Sequence, residues 1–84
     1  MKIHMPITYH VIVLFDRDDE GDLKPAEGRE VPSSHAAVQG ARSSVTGHAG
    51  AVAFSRTGDS ATGEFEDAVI LAQFGDVDLD ALSG

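Results

Sequence analysis

Carboxylates at alternate positions are the first chemistry visible in this chain. Asp16-x-Asp18-x-Glu20-Gly21, with Glu27 eleven residues after Asp16, approaches the spacing of a calcium loop. Such a loop sets oxygen donors at alternate positions, a glycine at the sharp bend and a closing glutamate, because a hard cation demands oxygen ligands. Three features oppose that reading. Glu20 is one methylene longer than the usual Asp or Asn, Pro25 falls where an exiting helix would begin, and a strand-like apolar segment leads in where an entering helix belongs. An acidic hairpin turn accounts for the same residues. A calcium-binding module built on Asp16, Asp18, Glu20 and Glu27 therefore stands as the alternative, beside a generic protein-interaction module.

The other reactive groups form no recognisable constellation. His4, His10, His35 and His48 include no pair at the i, i+4 spacing that sets two ligands on one helix face. His48 reads as a cation at a helix C-terminus, where the helix dipole favours it, and His10 as a structural histidine on a strand. Ser33, Ser34, Ser43, Ser44, Ser55, Ser60 and Ser83 are available, yet none sits in a Gly-x-Ser-x-Gly elbow. Glu64 and Glu66, two apart on an expected strand, share a face beside Asp67, where solvated charge is a simpler account than acid–base catalysis. Gly47-His48-Ala49-Gly50 lacks the lysine of a phosphate loop. The chain has no cysteine, which removes disulfides, thiolate metal sites and a cysteine nucleophile. The expectation is a protein with no catalytic residues, no metal and no cofactor.

Residues 8–15 are dense in β-branched and aromatic side chains and predict a strand. Both of its faces are largely apolar, which places it centrally in a sheet. Residues 16–22 form a turn, and residues 23–31, with Pro25 and mixed charge, suit a sheet edge. Ser33 and Ser34 offer an N-cap to a helix running to Ala49, whose Ala37, Val38, Ala41, Val45 and Ala49 make a narrow apolar stripe. Residues 51–57 predict a strand, 58–63 a hairpin loop, and 65–74 a last strand. Residues 76–84 are an acidic tail, frayed or forming a short helical turn. The order β-β-α-β-β predicts an α+β fold: a four-stranded antiparallel sheet with one helix on one face, in a single domain with its core at 7–75. In that topology the acidic turn and the acidic tail share one end, and the 58–63 loop lies at the other.

Eighty-four residues suffice for one small domain that buries about 60–65% of its unfolded surface. The longest apolar run, Val11 to Phe15, is far short of the roughly 20 residues that span a bilayer, and the first six residues lack the apolar stretch of a secretory signal. A cytoplasmic location is expected. The net charge of −8 argues against direct nucleic-acid or anionic-membrane binding. It is unevenly placed: residues 16–30 carry −4, and residues 58–84 carry seven acids with no base. Solubility alone explains many such surfaces; a basic partner, met by electrostatic complementarity, is the sharper reading.

Taken together, the strand 9–15 entering the acidic turn 16–22, the alanine-rich helix 34–49, and Phe54-Ser55-Arg56-Thr57-Gly58-Asp59 leading through Gly63-Glu64-Phe65-Glu66-Asp67 to a final strand resemble a small acidic anti-CRISPR protein. The likeness is to phage- or mobile-element-encoded inhibitors of type I (Cascade-type, including I-C) effector complexes. It covers roughly residues 8–75 and is one of layout, size and charge, not of a shared motif. The resemblance implies a non-catalytic inhibitor, monomeric, acting in the bacterial host. It would bind a basic surface of the effector complex and block target DNA by placing carboxylates where phosphates go. The contact residues would be Asp18, Asp19, Glu20 and Asp22, with Asp59, Glu64, Glu66 and Asp67. A third reading, a structural protein that dimerises through edge strands, is opposed at residues 23–31 by Pro25 and charge.

Overall fold

The computed structural model describes residues 6–82; Lys2, His4 and Ser83 lie outside them. Strand β1 (Ile7–Arg17) turns through the acidic cluster into β2 (Leu23–Val31), and helix α1 (Ser34–Ser44) leads to β3 (Gly50–Asp59). A tight turn then gives the two-residue β4 (Glu64–Phe65), followed by β5 (Val69–Gly75) and a 3₁₀ turn at Leu79–Leu82. The sheet is antiparallel throughout, in the order β2-β1-β3, with β4 and β5 both pairing β3 at different heights. This is the expected α+β class, with β1 central and β2 at an edge. Pro25 sits in β2 where the register with β1 shifts by one residue between Leu14 and Phe15, the kind of irregularity that tolerates a residue without an N–H.

Two details depart from the sequence reading. The sheet has five strands, because residues 66–68 interrupt the expected 65–74 strand and leave Glu66 and Asp67 off the ladder. The helix stops at Ser44 instead of Ala49. Ser33 caps it as expected, its hydroxyl accepting from Ala36 N at 3.0 Å, but Ser43, Ser44, Val45 and Thr46 are poor helix formers. The chain there tightens into a turn in which His48 N donates to the Val45 carbonyl.

Alternation along β1 and β3 divides the apolar side chains between two faces. Ile12, Leu14, Ala51 and Ala53 face α1 and pack with Ala37 and Ala41. The small alanines let helix and sheet approach closely. Val13, Phe15 and Val52 face the other way, with Val11, Phe54, Val77 and Leu82 against them. The tail is therefore a cover: Val77 and Leu82 pack on the face that α1 leaves open. Phe15 and Val52 are the largest fully buried side chains, and both lie on that second face.

The tail reaches its position by crossing Gly50. Asp76 N donates to the Ala49 carbonyl at 2.9 Å, and a Cβ on Gly50 would collide with the Asp76 backbone. Gly50→Ala must push the tail outward, and we expect a loss of about 1–3 kcal/mol from overpacking, or about 5–20 °C in Tm for a domain of this size. Gly28→Ala, where an added methyl meets nothing within 4 Å, should stay within about 1 kcal/mol of wild type. Thermal circular dichroism of the two variants checks this; equal melting temperatures would remove the tail from the account of stability.

Candidate functional site

The eight expected contact residues fall into two groups at opposite ends of the sheet, while Glu27 and Glu30 lie along β2 between them. From Phe15↔Gly50 to Ile7↔Gly58 the β1–β3 ladder runs eight steps, about 26 Å at the usual rise per strand residue. Asp18, Asp19, Glu20 and Asp22 occupy the β1–β2 turn at one end, beside the start of the tail. Asp59, Glu64, Glu66 and Asp67 occupy the other end, around the β3–β4 turn. The expected proximity of turn and tail holds only for the start of the tail: Arg17 bridges them, with Nη2 3.0 Å from Asp76 Oδ2 and Nη1 donating to the Gly21 carbonyl at 2.7 Å, whereas Leu79, Asp80 and Leu82 line a cavity with Arg56 and Asp67. The eight residues therefore form two patches and not one continuous surface.

At the turn end, several groups are committed to holding the local backbone. Asp18 Oδ1 accepts from Glu20 N at 2.9 Å and from Asp22 N at 3.0 Å, so its carboxylate points back into its own loop. Asp16 Oδ1 accepts from His48 Nδ1 at 2.8 Å, tying the turn to the segment that follows α1. This replaces the expected role of His48 at the helix C-terminus, since the helix has ended four residues earlier. Glu27 is carried up β2 to a position opposite Leu14, away from Asp18 and Glu20 in the turn. Among the described residues no three His, Asp or Glu side chains converge in an arrangement that could hold a metal ion.

At the far end the carboxylates surround an aromatic platform. Gly58 has no side chain, and the Phe65 ring occupies the space a Cβ there would fill. Tyr9 lies 6.4 Å from Phe65 between ring centroids, tilted by 40°. The Arg56 guanidinium stands 5.7 Å from the Phe65 centroid, and its Nε donates to the Glu66 carbonyl at 3.0 Å. The backbone fixes the same segment: Glu66 N donates to the Thr57 carbonyl at 2.8 Å. Pro6, Thr57, Gly58, Asp59, Glu64, Phe65 and Glu66 line a shallow cleft of about 370 Å³ there. One Asp59 oxygen accepts from Ala61 N at 2.9 Å, shaping the turn.

Asp18, Asp19, Glu20, Asp22, Glu64, Glu66 and Asp67 are exposed. Among the described residues none of these seven belongs to an ion pair; Arg17 pairs with Asp76, and His48 hydrogen-bonds Asp16. A second cavity, of about 260 Å³, lies between β2 and the exit of α1 and is lined by Ile12, Leu14, Glu27, Arg29, Ser44 and His48. Ser44 and His48 share that cavity, but among the described residues no hydrogen bond joins them, so the contact between nucleophile and base that serine catalysis uses is not formed. His10 bonds Ser55 Oγ at 2.7 Å across β1 and β3, in keeping with a structural role.

Sequence reasoning missed the Arg17–Asp76 and Asp16–His48 contacts, which join residues 59 and 32 positions apart. It also missed Phe65 as anything but a strand residue. The signal for Phe65 was its flanks, Glu64 and Glu66, on a segment with no base. No family model matches this chain, and no curated protein or solved structure matches it either. No helix among the described residues is long and apolar enough to cross a membrane.

The turn geometry gives a direct test of the calcium alternative. A ligand present at a hundredfold its Kd adds about 2.7 kcal/mol, which would raise Tm by about 10 °C or more. Melts in excess calcium and in chelator are expected to coincide within about 2 °C; a rise of that larger size on adding calcium would restore the metal-binding reading. Arg17 and Asp76 are both well exposed, at 48% and 67%, so a double-mutant cycle with Arg17→Ala and Asp76→Ala should give a coupling of only about 0.2–1 kcal/mol.

Proposed function

We propose that this chain is a non-catalytic inhibitor that binds a basic protein surface through exposed carboxylates and, in line with the resemblance described above, blocks target-DNA binding by a type I CRISPR effector complex. One observation supports the reading above the others. Seven exposed acids, grouped at the two ends of a small rigid sheet, belong to no ion pair among the described residues. Asp18 also holds its own loop, accepting from Glu20 N and Asp22 N; the other six carboxylates direct their field outward. A duplex-binding channel is lined with lysine and arginine because phosphate contacts supply most of its affinity. Carboxylates entering that channel meet the same potential. Electrostatic steering then raises the association rate and selects basic partners over others.

Occupancy alone is sufficient for inhibition, so the mechanism asks for no bond making. The two acidic ends, about 26 Å apart along the sheet, give the molecule two places to meet cationic side chains. The turn end is stiffened by Arg17–Asp76 and Asp16–His48, so its carboxylates are presented with little further ordering cost on binding.

A competition gel-shift with a purified type I effector complex tests the proposal. Excess protein is expected to abolish the target-DNA shift; an undiminished shift overturns the reading. The fourfold variant Asp19→Lys, Glu20→Lys, Glu64→Lys and Glu66→Lys should lose at least tenfold in inhibitory potency while keeping the wild-type circular dichroism spectrum. Equal potency in that variant would show that charge is not the mechanism.

A further inference from the structure

Of the chain's four phenylalanines, Phe15 is buried in the core and Phe54 and Phe74 pack against it. Phe65 belongs to neither apolar cluster and is 45% exposed. It is nonetheless held firmly. Its backbone pairs Gly58, its ring lies on the bare Gly58 backbone, and Tyr9 and Arg56 flank it. Ile7, which pairs Gly58 from the other side of β3, is 52% exposed. A two-residue strand thus fixes an aromatic ring without burying it. A ring ordered in advance and left half in water loses little conformational freedom when a partner covers it, which is the property of an interface anchor.

We infer that the end of the sheet carrying Phe65 is the docking end, and that Phe65, with Tyr9 and Ile7, is the apolar anchor on which a lysine- and arginine-bearing protein surface seats. The occupant follows from charge. The anchor's immediate border carries Glu64, Glu66 and Asp67, all exposed, so an approaching surface is complementary when its rim is cationic and its centre presents an aliphatic side chain or the methylene stem of a lysine or arginine to the ring. At the opposite end Asp18 is turned into its loop and Asp16 and Asp76 are paired. No large apolar side chain in the 16–22 turn accompanies them. The inference rests on the proposed reading that the partner is basic, and it divides the labour between the ends. The turn end contributes to the long-range field and therefore to the association rate. The Phe65 end supplies desolvated contact and therefore sets the dissociation rate.

The test uses the whole chain and a fluorescein-labelled peptide of alternating Lys-Leu-Arg repeats, with stopped-flow anisotropy giving both rate constants. Phe65→Ala is expected to raise the dissociation rate at least tenfold and leave the association rate within about twofold. Asp19→Lys with Glu20→Lys is expected to slow association several-fold and to change dissociation less than threefold. A dissociation rate for Phe65→Ala within twofold of wild type overturns the inference, as does no measurable binding of the peptide by wild type. Should Phe65→Ala melt early, amide shifts of the wild-type protein on peptide addition decide instead: they must cluster at residues 7–9 and 64–67, and clustering at 16–22 overturns the inference. A parallel gel-shift with the type I effector complex keeps the two proposals apart. Loss of inhibition there with peptide binding intact removes the effector as partner and leaves the anchor standing.

Discussion

Strands β1 and β3 are apolar on both faces, and a chain of 84 residues has few elements with which to cover them. One helix covers one face through Ala37 and Ala41. Among the described residues no helix covers the other face; Leu23 of β2 and Val77 and Leu82 of the tail pack there. That second cover works only because Gly50 lets the backbone of Asp76 cross over β3 at close range. With both faces of β1 and β3 covered, polar side chains are left to the edge strand β2, where Glu27 and Glu30 lie, and to the two ends of the ladder. The eight expected contact residues sit at those ends.

The two ends then serve differently. At one, the requirement to bring the tail back over the sheet places Asp76 beside Arg17 and Asp16 beside His48, so part of the acidic charge stabilises the fold locally. At the other, β4 is a short strand that adds little to the core. Its residues are free of structural duty in a way that those of β5 are not, because Leu71 and Phe74 of β5 pack against the helix cluster. The segment lies outside both apolar clusters yet is fixed by backbone pairing, a ring contact and an arginine. That contrast, more than the count of acids, supports a contact surface at Phe65.

Much of this fold is legible in the sequence. Residues 8–15 announced a central strand because both alternating faces were apolar, and Pro25 with its charged neighbours marked an edge. The serine cap at residue 33 fixed the helix start. The helix end was not legible, since the apolar stripe continues through Val45 and Ala49 while the intervening Ser43, Ser44 and Thr46 favour a turn, and periodicity outweighed propensity in the reading. The break at residues 66–68 was hidden for a similar reason: Phe65 and Val69 suit one strand by composition, and only the pairing of Gly58 with Phe65 and of Ser55 with Val69 shows two. The tail's role as a cover depends on contacts with β1 and β3 far away in sequence, which no local pattern of Asp76, Asp78 and Asp80 discloses. The acidic residues themselves were found at once by charge. Their division into two patches, and the aromatic ring inside one of them, came from topology.

In the proposed function, outward-facing carboxylates capture a basic surface in place of nucleic-acid phosphates. The salt dependence of the affinity for a purified type I effector complex tests it most directly. Between about 50 and 300 mM salt the screening length shortens to below 10 Å, and Kd is expected to rise at least tenfold, in parallel with the loss of target-DNA affinity by the same complex. An affinity that stays level across that range, or no binding at its lower end, would contradict it.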